Sequence, residues 1–121
     1  AAAKEVFEQF GIGQYQSKDV PAAIASLSRA ISAGSTEPQL FLFRGNAYFS
    51  QKDYDKAKAD LEKALVAGIS DYDAFKNMGD LSFLKNEFAS AVKYYDKALS
   101  LQATDAIVFN NRGKAKVSLA D

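Results

Sequence analysis

Residues 43–65 read FRGNAYFSQKDYDKAKADLEKAL. Helix-forming residues run on both sides of the central SQKD, yet Gly45 stands inside the first run, where a helix interior loses about 1 kcal/mol relative to alanine. Such a glycine needs a structural reason. Steps of 34 residues lead from Gly45 to Gly11, Gly79 and Gly113. A phenylalanine precedes each by four residues: Phe7, Phe41, Phe75 and Phe109. Downstream of the first three lie Ala23, Ala57 and Ala91, then Leu27, Leu61 and Tyr95, then Ala30, Ala64 and Ala98. Gly34 and Gly68 keep the same register, with Gln102 in the third place. A fixed period of this length is the signature of an internal repeat.

Each repeat reads as two helices, A and B. In the second, helix A spans roughly 38–51 and helix B roughly 53–67. Pro38 suits a first helical turn, where its missing N–H costs nothing, and Pro21 falls in the first turn of its own B helix. Asp19 and Asp53 are expected as N-caps of B helices, with Glu87 a weaker one. Gly34 and Gly68 suit left-handed C-terminal caps. Phe41, Gly45 and Tyr48 share one face of helix A; Ala57, Leu61 and Ala64 share one face of helix B. The glycine then has its reason. Small residues let two antiparallel backbones come close, and the large ones fill the space that remains.

Composition narrows function. The 121 residues hold 15 Lys+Arg against 15 Asp+Glu, so net charge is zero. Binding dominated by nucleic-acid phosphates or an anionic membrane needs clustered positive charge. No cysteine is present for a disulfide or thiolate, and no histidine for general-base or zinc chemistry. No apolar run approaches the roughly 20 residues of a membrane span. GIG at 11–13 lacks the preceding strand of a nucleotide loop, and the pairs Asp53/Asp55 and Asp71/Asp73 sit at helix starts, where the helix dipole accounts for them. An enzyme is therefore not expected, and neither is a metal or cofactor. The start, AAAKEVFEQF, has no signal-peptide core. The compartment stays open, with the cytoplasm slightly favoured over a periplasmic or secreted location.

Gly-x-x-Tyr in helix A and Ala-x3-Leu/Tyr-x2-Ala in helix B, at this period, resemble the tetratricopeptide repeat. Phe stands where that family often has Trp. The resemblance covers nearly the whole chain, as one domain with units near 4–37, 38–71 and 72–105 and a final A-type helix at 106–121, which is either a cap or the start of a further unit. It departs in places. The family tyrosine survives only at Tyr48, with Gln14, Ser82 and Lys116 at the equivalent positions. Ser35, Ile69 and Ala103 replace a closing proline, and Arg44 and Arg112 stand where leucine is common. The neighbouring pentatricopeptide family fits less well, given the uninterrupted spacing and zero net charge; a Sel1-like repeat would be longer and less regular.

The resemblance implies an all-α, right-handed superhelix of antiparallel helix pairs whose A helices line a concave groove for a peptide segment or helix of another protein. Residues about 100° around helix A from the Phe–Gly stripe would face it. The candidates are Ile12 and Tyr15 in the first unit, Leu42, Asn46 and Phe49 in the second, Lys76, Asp80 and Phe83 in the third, and Asn110 and Lys114 in the last helix. Tyr15, Phe49 and Phe83 form a row that serves either as partner anchors or as packing. Asn46 and Asn110 suit hydrogen bonds to a peptide backbone. Family members that grip an acidic C-terminal tail do so with Lys and Arg. The matching positions here hold Glu8, Ile12, Phe43, Asp73 and Asn77 in one alignment, or Leu42, Asn46, Asn77, Ile107 and Asn111 in the other, with no basic residue in either. Such a tail is not expected to bind. The alternative to partner binding is self-association of the module through its terminal helices.

Overall fold

The computed structural model describes residues 2–102 and 104–120. Ala103, expected at a unit-closing position, and Asp121 lie outside them. Seven helices follow one another: α1 (Ala2–Gln16), α2 (Val20–Ser32), α3 (Pro38–Ser50), α4 (Tyr54–Val66), α5 (Tyr72–Leu84), α6 (Phe88–Leu101) and α7 (Ala106–Ala120). The described residues contain no strand, and the architecture is an all-α helical repeat. Contacts between helices divide it into two compact units, Ala1–Ile69 and Ser70–Asp121.

In the first unit α1 packs on α2 and α3 on α4, while α3 also packs on α2 and touches α1. In the second, α5 packs on α6, and α7 packs on α6 and touches α5. The reason given by the sequence for the glycines holds at three of the four. A Cβ added to Gly11 would lie 2.5 Å from Leu27 Cδ2, one on Gly45 2.8 Å from Leu61 Cγ, and one on Gly79 2.5 Å from Tyr95 Cε1. Those three large side chains are fully buried, and so are the flanking alanines of each B helix. Gly113 is exposed and meets nothing. In the first unit, Ala23, Leu27, Ala30 and Leu40 form a core cluster, with Phe7, Ile12, Tyr15, Ile31 and Phe43 packed against it.

Each helix pair turns on a motif that the sequence hides. Lys18, Lys52 and Asn86 have positive φ, 65°, 63° and 60°. Each sits one residue past the C-cap of an A helix. The N–H of the left-handed residue and of its successor close the helix: Lys18 N–H donates to Tyr15 O and Asp19 N–H to Gln14 O, and Lys52/Asp53 and Asn86/Glu87 repeat the pattern. This is the double C-terminal closure usually built on glycine. The B helices α2 and α4 end the same way on Gly34 and Gly68, at φ 107° and 96°, as expected. Ser35 and Ile69 use their N–H groups to close those ends on Ala30 O and Ala64 O, a bond that the family's proline lacks the N–H to make.

The same turn corrects the expected caps. Asp19 and Asp53 occupy the N-cap positions of α2 and α4, but their side chains make no capping hydrogen bond. Each residue already finishes the A helix through its own N–H. Its backbone, near φ −86°, ψ 79° at Asp19 and φ −88°, ψ 75° at Asp53, lies outside the extended region that aims a capping side chain inward. Asp71 is extended, and its carboxylate accepts the N–H of Ala74 at 3.0 Å.

A left-handed lysine is strained by about 1–2 kcal/mol, whereas glycine adopts this conformation freely. Lys52→Gly is therefore expected to raise the unfolding free energy by about 0.5–1 kcal/mol, after allowance for the looser unfolded chain. Urea denaturation checks this, and a clear loss of stability would show that the lysine carries a contact worth more than the strain.

Candidate functional site

In the first unit the A helices α1 and α3 bring the candidate residues together. Asn46 Nδ2 donates to the Tyr15 hydroxyl at 3.3 Å. The Tyr15 ring stacks on Phe43, centroids 4.6 Å apart and planes 22° from parallel. Phe49, one helical turn beyond Asn46, rests on Tyr54 at 5.5 Å in a tilted pair. Ile12, Tyr15 and Phe49 are partly exposed. Leu42 and Asn46 are buried, at 6% and 9% exposure. The angular offset from the Phe–Gly stripe fixes the side of the helix a residue occupies; it carries no information on whether a neighbour covers that side. Asn46 is drawn against Tyr15, so its amide serves the α1–α3 contact.

In the second unit Phe83 rests edge-on against Phe88 at 5.4 Å and, with Lys76 and Asp80, is partly exposed. Asp80 does more than decorate a face. The Tyr95 hydroxyl, carried on the ring that fills the space over Gly79, donates to Asp80 Oδ1 at 2.6 Å. Burial raises the Asp80 carboxyl above its ordinary value, against the opposing pull of the Tyr95 hydrogen bond and the Lys76 charge. Burial, then the bond to Asp80, pushes the Tyr95 phenol up as well. Tyr72 donates to Asp105, which lies below the usual carboxylate range chiefly because it accepts that bond. Asn110 and Lys114 stand exposed on α7. With Phe109, Gly113, Val117 and Ser118 they line a shallow depression.

Two of the family departures turn out to be polar ties between helices. Arg44 makes a two-pronged bond with Asp60, Nε to Oδ2 at 2.7 Å and Nη2 to Oδ1 at 2.8 Å, and its Nη1 donates to Ser28 Oγ at 3.2 Å. It also lies over the rings of Phe41 and Tyr48, 5.7 Å from each centroid. The hydrogen bond to Asp60 holds its guanidinium above its ordinary pKa despite burial. Arg112 repeats the backward contact, donating to Asp96 at 2.8 Å. The signal was present in the sequence. Arg44 and Asp60 stand sixteen residues apart, the same separation as Gly45 and Leu61, and so face each other across the pair. Among the described residues no helix is long and apolar enough to cross a membrane, and no cluster of three or more acidic, His or Cys side chains is arranged to hold a metal ion.

Two tetratricopeptide repeat family models match the chain, over residues 38–66 and 72–105, together just over half of it. Solved structures match in fold. The first such domain of Spaghetti (RPAP3), bound to the HSP90 peptide SRMEEVD, has a TM-score of 0.76 at 23% identity, covering 100% of this chain and 96% of that one. The TPR2B domain of yeast Sti1, in a complex with pHsp70, gives 0.69 at 18%, covering 96% and 98%. The TPR domain of Arabidopsis OM64 gives 0.75 at 18%, covering 94% of each. No curated protein matches the sequence.

The pKa of Asp80 sets a pH dependence. A carboxyl raised in the folded state holds its proton where the unfolded chain has lost it. Its contribution to stability is full below the ordinary carboxylate range and is lost as pH rises through the raised value. Asn offers the same carbonyl acceptor to Tyr95 without the buried charge. Asp80→Asn is thus expected to be at least as stable as the parent at neutral pH, and to lose this component of the acid-to-neutral decline. Denaturation across that range checks it. A variant weaker at every pH would show the charge to be a net stabiliser.

Proposed function

The chain belongs to the tetratricopeptide repeat family, whose domains are protein–protein interaction modules and generally non-enzymatic, and from that premise we propose that it binds a segment of a partner protein, extended or helical, along the faces of its A helices. Support comes from the first unit. Ile12, Tyr15 and Phe49 are partly exposed, and the two aromatics are held by Phe43 and Tyr54. Rings already fixed against other rings lose little freedom on binding, which favours them as anchors. In the second unit Phe83 is braced in the same way. Asp80 and Lys76 supply mixed charge beside it, and Asn110 and Lys114 are the accessible polar groups of α7. Balanced overall charge argues for protein rather than nucleic acid as the partner.

The related Spaghetti and Sti1 domains are described with an HSP90 peptide and with pHsp70. Binding of an acidic C-terminal tail does not extend to this chain in our reading. Neither frame of the repeat places Lys or Arg at the gripping positions, and Asn46 and Asn77, which would assist, are buried. A carboxylate there meets no fixed positive charge to offset its lost hydration.

The test is a peptide-display selection against the purified chain, with SRMEEVD as a separate probe by calorimetry. The selected peptides are expected to carry apolar residues. They should bind Phe49→Ala at least tenfold more weakly, a loss of about 1.4 kcal/mol, while its melting temperature changes little; SRMEEVD should give no heat. Equal binding by Phe49→Ala, or micromolar binding of SRMEEVD, would overturn the corresponding half of the reading.

A further inference from the structure

The zero net charge of the chain is not spread evenly over its helices. In the first unit most cations already have a place. Arg29 lies over the Phe7 ring at 5.3 Å, Lys63 over Phe41 at 4.8 Å and Lys56 over Tyr48 at 5.5 Å. Arg44 is held by Asp60, and Lys58 pairs with Glu62. Among the described residues, Glu5 and Glu8 of α1 are in no ion pair, and Lys4, the one cation on that helix, reaches neither. Glu5 is exposed and Glu8 partly so. Glu5, Glu8 and Tyr15 stand three and then seven residues apart, which puts them on one stripe of α1. The second unit, taken by itself, has the same sign. Lys97 lies over Phe75 at 5.6 Å and Arg112 is held by Asp96, while Asp73 and Asp80 share the stripe of Phe83 on α5 with a single cation, Lys76.

Uncompensated carboxylates and braced aromatic rings thus occupy the same A-helix faces. We infer that the partner segment is basic as well as apolar, and that it places a Lys or Arg against Glu5 and Glu8 and an apolar side chain against Tyr15 and Phe49. This rests on the A-helix faces being the binding surface, and names the class of segment they take. The helical rise sets Glu8 about 10 Å from Tyr15 along α1. An extended segment covers that distance in about three residues, a helical one in about seven. The glutamates lose hydration when a partner covers them. A cation that reaches both offsets the loss, whereas an acidic segment adds repulsion to it. The attraction is also screened by salt.

The probes are two random peptide libraries of equal apolar content, one with Lys and Arg as its only charged residues and the other with Asp and Glu. Binders are expected from the basic library alone, with a basic residue at the stated spacing from an apolar one, and added salt should weaken them on the parent. The double variant Glu5→Lys/Glu8→Lys should match the parent by circular dichroism and bind these peptides about tenfold more weakly. Phe49→Ala keeps the two questions apart. Suppose binders come from the acidic library, or basic ones keep their affinity through the charge reversal and in high salt, and Phe49→Ala still weakens them. The inference is then overturned and the binding face stands. Binders indifferent to Phe49→Ala, or none from either library, overturn the face and the inference with it.

Discussion

The distance between the two helices of a pair is the constraint on which the rest depends. Where Gly11, Gly45 and Gly79 lie, the backbone of an A helix meets the side of a leucine or tyrosine with no room for a methyl group. The glycine loses helix propensity, and burial of a large side chain, worth roughly 1.5–3 kcal/mol, offsets it. Close approach also dictates alanine on either side of that large residue. At the third pair the filler is Tyr95, whose hydroxyl cannot be left unbonded in a packed interior. Asp80, next to Gly79, accepts it. The chemistry of one groove candidate thus follows from packing on the neighbouring face of its helix.

The turns make this approach reproducible. One residue ends the A helix with its N–H and begins the B helix with its carbonyl: Asp19 bonds back to Gln14 and forward to Ala23, and Asp53 to Tyr48 and Ala57. With a single residue shared between two helices, little freedom remains in how the hairpin folds. Polar ties then link neighbouring helices in the first unit, where Arg44 joins α3 to α4 through Asp60 and to α2 through Ser28. Breaking such a largely buried pair leaves a charge without its partner, which costs more than the pair itself contributes.

Much of the fold was legible because packing repeats. The period, the three working glycines, the buried alanines and the left-handed Gly34 and Gly68 all follow from residue type and spacing. Two features did not. Lysine carries no left-handed preference, so Lys18 and Lys52 gave no warning of the turn, although Asn86 at the same position did. The N-cap role of Asp19 and Asp53 failed because the preceding turn had already set their backbone. The site was less legible than the fold. An angular position on helix A cannot distinguish partly exposed Phe49 from buried Leu42, since that difference comes from the neighbouring helices. Arg44, in the sequence only a departure from the family's leucine, gains its meaning once Asp60 is opposite it.

The close approach of the helices is measured most directly by a pair of substitutions with opposite expected signs. In dilute solution, Gly45→Ala should lower the unfolding free energy by about 1–3 kcal/mol, the usual cost of overpacking. Gly113→Ala, on a face that meets nothing, should raise it by up to about 1 kcal/mol through helix propensity alone. If Gly45→Ala stabilises the protein as Gly113→Ala does, the helices are not in contact at that glycine and the account fails.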